Sequence, residues 1–294
     1  MIEAVVMGRV GIDLYPNELE TPLSEVRTFT RFVGGFAGNL STGLARLGVR
    51  TAIVSRVGDD GHGEFVREWL GGEGVDTRFL RTDPYWLTPP TFCEVWPPDN
   101  FPILFYRRPT APDWQLVAED FDEEEVANAE LLYGTGTGLA QSPSRETTLA
   151  TLRAHRGLTI FDLDWRPSLW DDPDAYAQFA GAAVEAADIV IGNEEELAAA
   201  RLGPVPHLVV KRGERGATIY EDREGTDVPG HPVEVVNGLG AGDAFAAALG
   251  HGLLRGLSLV EAARRGTVAG AIVASQLACS EAMPRLEDLE AALV

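Results

Sequence analysis

The stretch Asn237-Gly238-Leu239-Gly240-Ala241-Gly242-Asp243 places a carboxylate at the end of a glycine-rich turn, and the small residues from Ala244 to Leu254 behind it read as a helix. Val233-Glu234-Val235-Val236, just before the turn, alternates as a strand does. A chain that turns through glycines into a helix leaves backbone N–H groups unpaired at the helix amino end, with the helix dipole behind them. Such donors favour a phosphate or a phosphoryl group in transfer. Asp243 would stand beside that group, where a carboxylate can take the proton of an acceptor hydroxyl. The same glycines could serve a tight turn alone, with Asp243 as a cap, and these residues by themselves do not separate the two. No Gly-Lys-Ser/Thr follows, so this is not a Walker A loop.

Something must hold that turn against the rest of a site. Short apolar runs over Ala4 to Gly8, Thr51 to Val57, Leu131 to Gly134, Leu158 to Leu163, Ile189 to Gly192 and Leu208 to Lys211 alternate with helical patterns over Asn39 to Leu47, Gly63 to Leu70, Ser144 to His155, Asp174 to Ala186 and Glu194 to Leu202. That alternation predicts parallel strands joined by crossover helices, an α/β fold. Asp162, Asn193 and Gly213 fall at or just after strand ends, the edge where open α/β sheets bind ligands. Long helical patterns over Leu259 to about Cys279 and Leu286 to Leu293 close the chain. Two stretches, Glu18 to Val33 and Thr91 to Arg108, carry period-two features outside the alternation and read as a small sheet that could cover the site as a lid. No linker or internal repeat divides the chain, so one domain over 1–294 is expected, with lid strands within 14–33 and 88–108.

Composition narrows the function classes. The chain has 294 residues, 45% of them hydrophobic, enough for a large core, and a formal net charge of −21. Such acidity disfavours nucleic acid and anionic membranes, and no basic run offsets it. Cys93 and Cys279 are the only cysteines, and the histidines fall singly, so neither a zinc site nor a disulfide framework is expected. The amino-terminal run carries Glu3 and lacks the form of a signal peptide, and no apolar stretch is long enough to span a bilayer. A soluble, cytoplasmic protein is expected. Lys211 is the only lysine.

Asn237 to Phe245 resembles the second motif of the PfkB, or ribokinase-like, carbohydrate kinases, D-T-x-G-A-G-D. By that resemblance Asp243 is the catalytic base and the backbone of Gly240, Ala241 and Gly242 the anion hole. Asn237-Gly238 stand in place of Asp-Thr, which puts in question a monovalent-cation site built from that Asp. Gly34-Gly35-Phe36-Ala37-Gly38-Asn39, with Leu44 to Gly48 behind it, resembles the first motif, G-G-x-x-x-N ending in L-G. There Gly34 and Gly35 let the backbone approach the sugar and Asn39 bonds a sugar hydroxyl, as does Asp13 after the first strand. Asn193 with Glu196 resembles the N-x-x-E motif that orders the water shell of Mg2+ around the phosphates of ATP; the same residues also make an ordinary helix start. Val209 to Gly213 resembles the nucleotide-side strand, making Lys211 and Gly213 candidates for the ATP channel. Thr267 stands where many relatives carry an Asn near the adenine.

The resemblance implies a three-layer ribokinase-like fold, with a mostly parallel sheet flanked by helices and a small β lid. The lid is similar to those that pair in dimeric relatives, and its open edges would favour a homodimer. Asp162 to Trp170 resembles the D-x-N-x-R-x-x-L-W stretch of kinases acting on keto-deoxy sugar acids, with Asp164 in place of Asn. Arg166 would there reach the substrate or the phosphoryl group, a task for a rigid, permanently charged guanidinium; it could also simply pair with Asp162 or Asp164. Arg107, in Phe105-Tyr106-Arg107 of the lid, would lie over a sugar acid. Met7 to Pro16, Pro97 to Arg107 and Ala278 to Pro284 are similar to the branch that phosphorylates the C6 hydroxyl of 5-dehydro-2-deoxygluconate in inositol breakdown. A 2-keto-3-deoxygluconate kinase is the neighbouring alternative. A catalytically silent sugar-binding regulator is the alternative of another class, and Phe36, Gly38 and Thr267 keep it open.

Overall fold

Every residue of the first strand, β1 (Ala4–Met7), is buried, and its side chains alternate between two cores. Ala4 and Val6 join one; Val5 and Met7 join the other. A strand covered on both faces needs a continuous apolar run, which is what these residues provide. The structure, a computed structural model, describes residues 2–293; Met1 and Val294, the outer limits of the expected domain, lie outside the described residues.

After β1 come β2 (Gly11–Pro16), β3 (Phe29–Gly34), α1 (Phe36–Arg46), β4 (Thr51–Gly58), α2 (Gly61–Gly72), β5 (Leu80–Asp83), β6 (Pro90–Cys93) and β7 (Ile103–Phe105). The middle holds α3 (Glu123–Ala127), β8 (Leu131–Thr135), α4 (Ser144–Ala154), β9 (Leu158–Asp162), α5 (Ala175–Val184), β10 (Ile189–Asn193), α6 (Glu194–Ala200) and β11 (His207–Lys211). The last third adds β12 (Ala217–Glu221), β13 (Glu224–Val228), α7 (Ala241–Leu254), α8 (Leu259–Ala274) and α9 (Leu286–Ala292).

Nine strands form the main sheet in the order β13-β12-β11-β10-β9-β8-β1-β4-β5. All neighbours from β11 to β5 are parallel, and β12 and β13 are antiparallel additions at one edge. Helices α1, α2, α7 and α8 pack on the Ala4 and Val6 face, while α4, α5 and α6 pack on the other. This is the expected three-layer α/β arrangement. The strand order reverses beside β1, so a crevice opens at the carboxyl ends of the strands there.

A second, four-stranded sheet runs β3-β2-β6-β7, which is the expected lid, although β2 already begins at Gly11. Its register sets Phe32, Asp13, Thr91 and Phe105 in one row and Arg31, Leu14, Phe92 and Leu104 in the next. Adjacent rows point to opposite faces of a pleated sheet, so Asp13 and Phe105 share the inner face.

Three parts of the chain depart from expectation. Val233 to Val236 is not a strand: the N–H groups of Val236 and Asn237 donate to the Ala274 carbonyl at the end of α8, at 2.8 and 3.1 Å. Helix α8 stops at Ala274, short of Cys279. The β12–β13 hairpin was not expected; Asp222 and Arg223 make its two-residue turn with φ of 49° and 75°. Such a turn usually advertises itself through Asn-Gly or Asp-Gly, and here it does not. Among the described residues no helix is long and apolar enough to cross a membrane.

Candidate active site

Asp162, Asn193 and Lys211 are the last residues of three adjacent parallel strands, β9, β10 and β11. The Lys211 ammonium donates to Asp162 Oδ2 at 2.9 Å. Burial raises the Asp162 carboxyl above its ordinary value, against the pull of Lys211. Burial works against the charged Lys211 as well, but Asp162 and Glu196 overcome it and hold the ammonium protonated. A Cβ on Gly242 would lie 3.5 Å from Lys211 Nζ, so the lysine reaches to the underside of the glycine turn.

That turn enters α7 through Gly240, whose left-handed φ of 82° suits a residue without Cβ. A side chain at Gly240 would also run into Cys279. At the opening of α7 the Ala241 N–H donates to the Gly238 carbonyl at 3.4 Å and the Ala244 N–H to the Gly240 carbonyl at 2.9 Å, while the amides of Gly242 and Asp243 between them have no backbone partner among the described residues. Asp243 is half-buried there. Desolvation by the surrounding walls pushes its carboxyl up to about 7, opposed by a hydrogen bond from Asn39 and reinforced by Asp164 and Asp162. The Asn39 amide donates to Asp243 Oδ2 at 2.7 Å, and Asn39 Oδ1 is buried without a partner.

Asn39 is in the first turn of α1, just behind Gly34 and Gly35. A Cβ on Gly34 would fall on the Asp13 carboxyl group, and one on Gly35 would come within 2.6 Å of the Arg9 carbonyl oxygen. Gly34 therefore makes room for Asp13 on the inner face of the lid, and Gly35 for the backbone between β1 and β2. Asp13 is buried; desolvation raises its carboxyl against the opposing charge of Arg9. Cys279 Sγ donates to Asp13 Oδ2 at 3.4 Å and accepts from the Tyr15 hydroxyl at 3.2 Å.

The loop after β9 supplies the arginine. Asp164 takes a positive φ of 33° and accepts from the hydroxyls of Thr135 and Thr137, at 3.1 and 2.8 Å. Arg166 pairs with Asp164 Oδ1 at 3.1 Å and lies 3.7 Å from Glu196 Oε1. Arg166 thus pairs locally with Asp164, while its Nε is buried without a partner and its charge acts on Asp164, Glu196 and Asp243. Asn193 and Glu196 form a capping box at the start of α6, using Asn193 Oδ1 and Glu196 Oε2. Glu196 Oε1 is outside the cap, and burial raises this carboxyl above its usual range.

Other expected residues are placed less centrally. Arg107 is buried, donates to Asp113 and stacks 4.5 Å over Trp114; burial lowers its guanidinium to about 10. Gly213 turns at φ 57° in open space beyond Lys211. Thr267 is half-buried on α8 and gives its hydroxyl to the Arg264 carbonyl at 2.8 Å. Asn237 is fully buried: its amide donates to Leu277 O at 2.6 Å and its Oδ1 accepts from Leu239 N at 3.1 Å. Both of its polar functions are therefore spent on shaping the turn.

Arg9, Asp113 and Cys279 were not singled out by the sequence. Arg9 had one available signal, since it is the first charged residue after β1 and so stands at a strand's carboxyl end. Cys279 had none, because its contact with Asp13 joins residues 266 apart.

Residues 1–286 match the pfkB family carbohydrate kinases. Proteins from Clostridium tetani and Bacillus subtilis named 5-dehydro-2-deoxygluconokinase are each 33% identical over 98% of this chain, covering 92% and 94% of their own lengths. One of that name from Geobacillus thermodenitrificans is 35% identical over 98% of this chain and 92% of its own. Among solved structures, an uncharacterized sugar kinase from Pyrococcus horikoshii, also known in complex with ATP, superposes with a TM-score of 0.88 at 28% identity over 98% of this chain and 96% of that one. A fructokinase from Vibrio cholerae, with fructose, ADP and calcium bound, gives 0.88 at 26% identity over 100% and 99%. With the glycine turn, its aspartate and the inward-facing lid assembled on this fold, the chain belongs to the pfkB family of carbohydrate kinases.

Proposed function

We propose that the protein transfers the γ-phosphoryl group of ATP to the C6 hydroxyl of 5-dehydro-2-deoxygluconate. The observation that carries this is the position of Asp243: a carboxyl pushed up to about 7 lies in the first turn of α7, where the Gly242 and Asp243 amides have no backbone partner, and is oriented by Asn39. A base poised near neutrality suits proton removal from a sugar hydroxyl. Asp243 takes that proton, and the backbone of Gly240, Ala241 and Gly242 offers donors to the charge on the transferring group. Asp13 and Asn39 hold sugar hydroxyls. Arg107 and Arg166 suit an acidic sugar, in keeping with the names of the relatives from C. tetani, G. thermodenitrificans and B. subtilis.

Bound ATP and Mg2+ supply the phosphoryl group and neutralise the phosphate charge. Lys211 and Gly213 line the approach, and Glu196 Oε1, with Asn193 beside it, is the oxygen suited to the water shell of the metal. A Mg2+ in such a site is held chiefly by nucleotide oxygens and water. We place the protein in the cytoplasm and infer a homodimer through the outer face of the lid, where Leu104 and Tyr106 are 46% and 58% exposed.

A coupled ADP-release assay with Mg-ATP tests the reaction on 5-dehydro-2-deoxygluconate, 2-keto-3-deoxygluconate, fructose, ribose and adenosine. Preferred turnover of the first compound is the expected result. Preference for another substrate overturns the assignment, and ATP binding without any turnover favours a silent regulator. Sedimentation showing only monomer at micromolar concentration overturns the dimer.

A further inference from the structure

We propose that Arg9, on the connection between β1 and β2, binds the carboxylate of the sugar acid together with Arg107 and so sets the preference of the site for an acid over a neutral sugar. This rests on the sugar-acid reading above and adds a residue to it.

The backbone of Arg9 is fixed before any ligand arrives. Its carbonyl accepts from Ala37 N in the first turn of α1 at 2.9 Å, in the space left by the missing side chain of Gly35. Its side chain is then delivered to the inner face of the lid, with the guanidinium carbon 5.1 Å over the ring of Phe105. Phe105 shares its row with Thr91 and Asp13, so Arg9 faces the same space as the residue expected to hold a sugar hydroxyl.

Arg9 is only 9% exposed, yet its guanidinium makes no hydrogen bond among the described residues, and Nε is buried without a partner. Its nearest anion, Asp164, is 4.0 Å away. That carboxylate is already engaged, Oδ2 by Thr135 and Thr137 and Oδ1 by Arg166. A buried guanidinium left without acceptors is costly. A planar carboxylate supplies two acceptor oxygens and a charge, which a hydroxyl does not.

Arg166 and Arg9 meet at Asp164, which Arg166 pairs at 3.1 Å and Arg9 approaches to 4.0 Å. Beyond that shared carboxylate, Arg166 acts on Glu196 and Asp243, at the end where the phosphoryl group transfers. Arg9 acts on Asp13 and Arg107, on the lid side. Arg107 is itself committed to Asp113 but keeps a buried Nε free. Two neighbouring guanidinium groups, one committed and one not, make a place for the acid group remote from the reacting hydroxyl.

The test compares 5-dehydro-2-deoxygluconate with its methyl ester, which lacks the charge and carries one added methyl group, on wild type, Arg9→Gln and Arg9→Lys. The expected result is that Arg9→Gln lowers the acid-to-ester ratio of kcat/KM by about 30-fold, mostly through KM for the acid, as loss of a charged hydrogen bond implies. Arg9→Lys, which keeps the charge but not the planar fork, falls between. An unchanged ratio in both variants, or equal loss on acid and ester, overturns the role of Arg9. Nucleotide affinity serves as the folding control, and if the Gln variant does not fold, the Lys variant carries the same comparison with an expected loss of several-fold. The substrate panel on wild type separates the two failures. Should it select another sugar acid, the ratio is measured on that acid and its ester; should it select a neutral sugar, the sugar-acid reading and the role of Arg9 fall together.

Discussion

The Asn39 amide donates to Asp243 Oδ2 across 2.7 Å, joining the first turns of two helices whose residues are 204 apart in the chain. It fixes one carboxylate oxygen; in the proposed reaction the other faces the acceptor hydroxyl. It also opposes the desolvation that pushes this carboxyl up to about 7.

Replacing Asp243 by Asn keeps a group that Asn39 can still bond but removes the proton acceptor. Turnover is expected to fall by about 10³-fold with ATP affinity retained. Near-normal turnover in steady-state assays would remove Asp243 from the base role.

The same carboxyl predicts a pH dependence. Only its ionised form is a base, so kcat/KM should rise from about pH 6 to about pH 8, with its midpoint near the value of about 7. The stability effect has the opposite sign. A carboxyl raised in the folded protein from an ordinary 3.8 to about 7 favours folding while protonated, and that contribution is lost as pH rises through this window. Asp243→Asn should therefore melt above wild type at pH 8, and the gap should close towards pH 4. A constant difference in Tm across that range would contradict the raised value.

Gly34→Ala tests the lid. The added methyl group lands on the Asp13 carboxyl, so that side chain must move. The expected loss is about 10²-fold in kcat/KM for the sugar, with ATP binding unchanged. Calorimetric titration of each ligand separates the two, and equal losses for sugar and nucleotide would point to a general folding defect.

Lys211→Met leaves Asp162 buried beside the glycine turn without its cation. Breaking such a pair from one side costs about 3 kcal/mol, whereas neutralising both partners is far milder. Urea unfolding should show Lys211→Met destabilised and the double variant with Asp162→Asn largely recovered. No recovery would mean that Lys211 stabilises through packing. Both variants should also raise KM for ATP.

The main sheet and its helices were legible because strands covered on both faces have to be largely apolar, as β1 is throughout and β8, β9 and β10 are up to their polar carboxyl-terminal residues apart from the buried Thr159. Edge elements were not. Leu80-Arg81-Thr82-Asp83 and Glu224 to Val228 carry exposed polar residues and form strands only because a neighbouring strand offers its open edge. Val233 to Val236 has the strand pattern but pairs with no strand, and its last residue is tied to the end of α8.

At the site, the sequence by itself determined the glycine turn with Asp243, the Gly34-Gly35 entry to α1 and the strand-end residues Asp162, Asn193 and Lys211, because local backbone geometry restricts which residues can occupy those positions. Only the tertiary structure decided the partners: Asn39 with Asp243, Lys211 with Asp162, Arg107 with Asp113, and Cys279 wedged between Gly240 and Asp13. It also decided that Arg9 is buried with its hydrogen bonds unspent. The reason is physical. A residue's conformational needs are written in its near neighbours, while its charge state and its free donors depend on burial and on groups that the fold brings in from distant parts of the chain.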